Sequence, residues 1–243
     1  MFRGRWPRWL LALALGSAFH FDAGEHAPLK SCAASAAAED PPHRPYSWAE
    51  LLEHAVRQEA RFAAGEYPGR DAAGNARYQR YKEWCRARTP PLSNAQYILQ
   101  YVHWRPSAAG RVALEPALAP YLLADGLEHW ILWHHPDELA GDAALDGAAE
   151  AALAAELVRA EPLPEPAAGD AVRLPSDAIV AFQNVPVLRS LPTIAHAHVF
   201  FHRARLPPEG RDALARARRA WLERSPWFND ATTSTGSESG TAH

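Results

Sequence analysis

The 243-residue sequence has one methionine and two cysteines, and its shortages exclude several protein classes before any motif is read. Two cysteines are too few for a disulfide scaffold, and they stand in unlike surroundings, Cys32 in an Ala/Ser-rich stretch and Cys85 beside Trp84 in a helical pattern. No CxxC or HExxH spacing names a zinc site, and no GxGxxG opens a dinucleotide-binding helix. An excess of positive charge is also missing. With 25 Lys plus Arg against 28 Asp plus Glu, the net charge is −3, which excludes a protein that holds nucleic acid through bulk charge. What is present, 48% apolar and 22% charged residues at a mean hydropathy of −0.31, is the composition of a globular protein, long enough to bury a core without staples.

The two ends differ from the middle. Residues 1–18 hold Arg3, Arg5 and Arg8, then the apolar run Trp9–Leu15, then Gly16-Ser17-Ala18. A basic region, a short apolar stretch and small residues make a signal peptide too short for a comfortable membrane span. The run GSAFHF, followed by Ala- and Ser-rich sequence to about Pro42, resembles the bipartite plastid leaders of algae with secondary plastids. The resemblance implies a leader over residues 1–44 and a plastid location; a secretory signal, an endomembrane route and an uncleaved anchor are the alternatives. Asn229 onward, NDATTSTGSESGTAH, has nothing that could pack, so 229–243 reads as a disordered tail and 45–228 as a single globular domain.

Within that domain, Ser47-Trp48-Ala49-Glu50 and Ser93-Asn94-Ala95-Gln96 are capping boxes that open helices. Apolar residues recur at helical spacing after each, and again at Tyr78, Tyr81, Trp84 and Cys85, so the first half reads as helical. The period changes at Glu128–His134, read as a strand; 143–160 reads as a helix, Ala178–Gln183 and Ile194–His202 as strands, and a last helix starts at Pro207-Pro208. This order implies an α+β fold, a small, largely antiparallel sheet packed with helices in one domain.

Alternation on the strand Ile194–His202 points His196, His198 and His202 to one side with Ile194 and Phe200. At the rise of a strand, His196 and His198 stand about 7 Å apart, close enough for both imidazoles to touch one phosphate or one metal. Asn184 and Ser190 precede the pair and can donate to an anion. Glu128 and His129 reach the same place if their strand is a neighbour. Trp130 and Trp133 read as core, and His134-His135-Pro136-Asp137 as a solvated turn.

SWAELLEHA (47–55), RYQRYKEW (77–84), NAQYILQYVHW (94–104), GLEHWILWHHPDEL (126–139) and VAFQNVPVLRSLPTIAHAHVFFHR (180–203) together resemble the fungal and algal N-acetylglucosamine-induced protein family, a domain of unknown function. A more distant likeness is to the histidine-triad nucleotide hydrolases and transferases. That likeness implies Asn184 as a phosphate-orienting residue, His196 as the first histidine and His198 as the nucleophile, with Phe200 where the third histidine would stand.

The expected function is action on, or binding of, a small phosphorylated or nucleotide-like ligand through His196 and His198, with Asn184, Ser190, His129 and Glu128 around it. A metal site built from the same histidines and a non-catalytic ligand-binding module are the alternatives. The sequence identifies no cofactor, no nucleic acid partner and no membrane span in the mature chain.

Overall fold

The computed structural model describes residues 44–159, 174–189 and 191–229, all within a compact unit spanning 42–243. The residues read as signal and transit segments, Cys32, Ser190 and the tail beyond Asn229 lie outside the described residues.

Local sequence sets the helix starts. Helix α1 (Trp48–Ala63) begins at a complete capping box, with Ser47 Oγ accepting from Glu50 N–H and the Glu50 carboxylate accepting from Ser47 N–H. Helix α2 (Ala72–Arg86) is capped by Asp71, which accepts from Gly74 N–H, and it buries Tyr81 and Cys85. Helix α3 (Asn94–Tyr101) opens at the second capping box, Ser93 with Gln96, and buries Tyr97 and Ile98.

The first half is not wholly helical, however. After α3 the chain forms a hairpin of β1 (Arg105–Ser107) and β2 (Gly110–Pro116). Pro106 and Pro116 break the pattern from which a strand is read, while the turn itself is well specified: Ser107 Oγ accepts from Ala109 N–H and donates to Gly110 O. Gly110 has φ of 91°, and a Cβ there would run into the Glu138 carboxylate that clamps Arg111.

Strand β3 (Leu127–His134), helix α4 (Gly147–Arg159), strands β4 (Ile179–Phe182) and β5 (His196–His202) and helix α5 (Pro208–Arg224) complete the fold. Ala178 belongs to a 3₁₀ turn before β4, and Ile194 and Ala195 precede β5. The helix expected from 143 starts at Gly147, where the absence of a side chain lets the helix touch the sheet: a Cβ would lie 2.4 Å from Ala181 O.

The sheet has five strands in the order β1-β2-β3-β5-β4, with every neighbouring pair antiparallel. With helices on both faces, this is an α+β single-domain fold. On one face Trp130, Leu132, Val199 and Phe201, all fully buried, pack under α4 and α5. Each such side chain contributes about 1.5–3 kcal/mol by leaving water. On the other face α1 covers Val180, Phe182 and Phe200, and α2 and α3 cover Ala113, Ile194 and the ground around Trp133. Among the described residues no helix is long and apolar enough to cross a membrane.

Candidate functional site

Antiparallel register brings the histidines together. His129 pairs with Phe200, Ile131 with His198 and Trp133 with His196, so these six side chains share the face covered by α1, α2 and α3. His129 Nε2 is 2.8 Å from His198 Nδ1, and both rings are buried.

Hydrogen bonding fixes the protons of this pair. His129 Nδ1 lies 3.1 Å from Tyr121 N, whose N–H can only donate, so Nδ1 is the acceptor and His129 carries its proton on Nε2. That proton is donated to His198 Nδ1, which leaves the His198 proton on Nε2. Asn184 Nδ2 is placed 2.9 Å from His198 Nε2 and 3.0 Å from the Tyr121 hydroxyl. A 180° turn of the amide, which exchanges Oδ1 and Nδ2, gives the His198 proton its acceptor. Protonating either ring would set two donors against each other. Consistently, burial pushes both well below the ordinary imidazole range, with Arg70 adding to the effect at His129 and the neighbouring His129 at His198.

His196 differs. Its Nδ1 is 2.8 Å from Ile194 O and must donate to it, so Nε2 holds a lone pair, and among the described residues that nitrogen has no hydrogen-bond partner. The ring packs 4.9 Å from Trp133. Burial lowers its pKa and Arg189 adds to this, while the Ile194 carbonyl opposes it.

The other expected residues are distributed as follows. Asn184 reaches the histidines through His198; Ser190 lies outside the described residues. Glu128 is not part of the site, because it precedes His129 on a strand and therefore points to the opposite face, where it accepts from Trp130 Nε1 at 3.0 Å and from Arg218 at 2.8 Å. His202 packs against Trp48 at the α1 end of the sheet, 5.3 Å between rings. His134 is no solvated turn residue: it ends β3, is buried, and pairs with buried Glu150 of α4 at 2.8 Å. Cys85 is a buried free thiol.

His129, His196 and His198 line a cavity of about 110 Å³ roofed by α2 and α3, with Tyr78, Tyr81, Tyr97, Ile131 and Trp133 among its walls. For scale, an apolar cavity of about 150 Å³ takes a benzene-sized guest. Two charged residues on this cavity escaped the sequence reading. Arg70 donates Nε to Ala119 O at 2.8 Å, and its guanidinium lies 4.9 Å from the Tyr78 ring centre and 5.5 Å from that of Tyr121. Among the described residues it has no carboxylate partner, and its remaining N–H groups have no acceptor. Glu115 of β2 is buried, at 7% exposure; it accepts from His103 N–H at 3.2 Å. Burial pushes its carboxyl up to about 7, against the lowering effects of the His103 N–H, Arg224 and Trp221. Nothing local in the sequence marks either residue, since each is recruited by chain-distant packing.

Three imidazoles converge, but their lone pairs do not. The free nitrogen of His129 accepts from a backbone N–H and that of His198 from His129, so a metal would find only His196 Nε2; accordingly, no cluster of three or more metal-ligating side chains occurs among the described residues.

No family model matches the chain, nor does any curated protein. Among solved structures the chain is similar to HTC1, at 22% identity over 70% of this chain and 94% of that one, with a TM-score of 0.42.

Proposed function

We propose that the chain binds a small phosphorylated molecule in the cavity beneath α2 and α3, with Arg70 taking the anionic group and His196 presenting its lone pair to the rest. The observation that carries this reading is the coincidence, on one cavity, of a guanidinium that has no carboxylate partner among the described residues and an imidazole nitrogen that has no hydrogen-bond partner among them. A guanidinium fork matches phosphate geometry and binds it more strongly where water is displaced.

The reading keeps the ligand class implied by the histidine-triad likeness but moves the reactive nitrogen. An attacking nitrogen needs a lone pair. His198 Nε2 carries a proton and faces Asn184 and Tyr121, whereas His196, with Nδ1 held by a carbonyl, meets the requirement. His129 and His198 then act as positioning residues. The cavity volume favours a ligand of a few carbons over a nucleotide.

Titration with inorganic phosphate and dihydroxyacetone phosphate, followed by calorimetry and thermal melting, tests the reading. Binding raises the melting temperature in proportion to the logarithm of ligand concentration. Arg70→Gln weakens binding at least tenfold. Equal binding by Arg70→Gln and the unaltered protein overturns the proposal.

A further inference from the structure

Resting on that reading, we infer that Glu115 and His196 act as acid and base on opposite sides of the bound molecule, and that the substrate is a small phosphorylated carbonyl compound from which a proton next to the carbonyl is removed. The sheet register supplies the placement. Glu115 pairs with Ile131 and Ile131 with His198, while Trp133 beside them pairs with His196. Glu115 and His196 are thus two strands apart, about 10 Å across the sheet, both on the cavity, with apolar Ile131 and Trp133 between them as a floor. No hydrogen bond joins the two among the described residues; Glu115 Oε1 accepts from the His103 N–H, and both side chains line the cavity.

With Arg70 holding the phosphate, a base and an acid complete one reaction without further reagents. His196 Nε2 takes a proton from the carbon next to the carbonyl; the C–H electron pair becomes a C=C bond, and the carbonyl π pair takes the carboxyl proton of Glu115. The products are an enol, an imidazolium and a carboxylate. Reversal, after the imidazolium has traded its proton with solvent, restores the substrate carrying a solvent hydrogen, so atoms and charge balance.

Protonation states at neutral pH suit these roles. Burial keeps His196 unprotonated and keeps a proton on a large share of Glu115. The groups facing Glu115 are Arg224 and Trp221 from α5, Tyr97 from α3 and the His103 N–H; those facing His196 are His198 and Arg189. Pairing a base of lowered pKa with an acid of raised pKa is how one site runs both halves of a proton transfer.

The test uses the full chain in D₂O at neutral pH with dihydroxyacetone phosphate, following loss of the hydroxymethyl proton signal by NMR, with inorganic phosphate as competitor. Expected are exchange above the buffer rate, suppression by phosphate, and a loss of at least about 100-fold in both Glu115→Gln and His196→Gln. A thermal melt of each variant checks its fold. As a second arm that needs no variant, exchange by the unaltered protein falls about tenfold per pH unit above pH about 7, as Glu115 loses its proton. If phosphate binds but no exchange occurs, or if Glu115→Gln exchanges at the full rate or the profile is flat above that pH, the acid–base assignment is overturned and the binding reading stands. If neither phosphate nor dihydroxyacetone phosphate binds, the binding reading falls and this inference with it.

Discussion

The two faces of the sheet each bury histidine from the same strand, and they use it differently. On the α4 face, His134 and Glu150 close on each other at 2.8 Å, both nearly sealed from water, and His134 Nδ1 has no hydrogen-bond partner among the described residues. On the α2–α3 face, His129 and His198 close on each other just as tightly, but one register step away His196 keeps a free nitrogen on a cavity that also holds Arg70 and Glu115. A buried histidine therefore says little by itself. What separates the two faces is where the unpartnered nitrogen lies: that of His134 is sealed in the core, whereas His196 lines a cavity beside Arg70 and Glu115.

Breaking the brace has the largest expected effect. Glu150→Ala leaves His134 buried without its acceptor and lowers stability by about 3 kcal/mol. For a domain of this size that is a fall in melting temperature of roughly 6–12 °C, measurable by calorimetry, with phosphate binding unchanged. A loss under 1 kcal/mol would mean the α4 face tolerates an unpaired imidazole.

The pH dependence sharpens the comparison, because the α2–α3 face holds groups of opposite sign. Burial lowers His54 to about 4 from 6.5, and lowers His129, His196 and His198 as well. Below pH 6.5 the unfolded chain binds protons that the folded chain refuses, so this contribution is whole above about 6.5 and is lost as pH falls toward the folded values. Glu115 runs the other way. Its folded value of about 7 against 4.5 means a contribution present below about 4.5 and lost as pH rises through about 7. Urea melts from pH 4 to 9 are expected to rise to about pH 6–7 and to level off above about pH 8, where Glu115 is ionised in both states, and Glu115→Gln gains about 2–3 kcal/mol relative to the unaltered protein between pH 4 and pH 9. A Glu115→Gln difference that is the same at pH 4 and at pH 9 would contradict the burial of an ionisable carboxyl.

Smaller effects separate the histidine proposed to position from the one proposed to react. His198→Gln unpairs His129 Nε2–H and lowers stability by about 2 kcal/mol. His196→Gln gives up only the bond to Ile194 O and lowers stability by about 1 kcal/mol or less, while phosphate-dependent stabilisation weakens. If the two losses come out in the reverse order, the assignment of brace and site within this face is wrong.

How much of this was legible depended on how far along the chain each cause lies. Both capping boxes are visible because Ser47 meets Glu50, and Ser93 meets Gln96, within one turn. The grouping of His196 and His198 follows from alternation along one strand. The same parity, applied to Glu128 and His129, excludes Glu128, since adjacent strand residues cannot share a face. Arg70, Glu115 and Tyr121 could not be found this way. Arg70 precedes α2, Glu115 lies in a strand hidden by Pro106 and Pro116, and Tyr121 sits outside any regular element; the register of β2, β3 and β5 brings Glu115 to the histidines, and packing of the segments before α2 and after β2 brings Arg70 and Tyr121. His134 looked solvent-facing because its partner, Glu150, comes from helix α4, beyond the end of its own strand.

The strand order also governs when the site can exist. β1 and β2 pair across a two-residue turn, but β3 finds its central partner β5 only after roughly sixty further residues. At about 5–20 residues per second, a growing chain carries β3 for several seconds before β5 is made. During that interval Trp130, Leu132 and Ile131 have no strand on one side, and His129 has no His198 to receive its proton. Closing that long loop is entropically opposed, and because the histidine network straddles it, the cavity beneath α2 and α3 forms in the same step that completes the core.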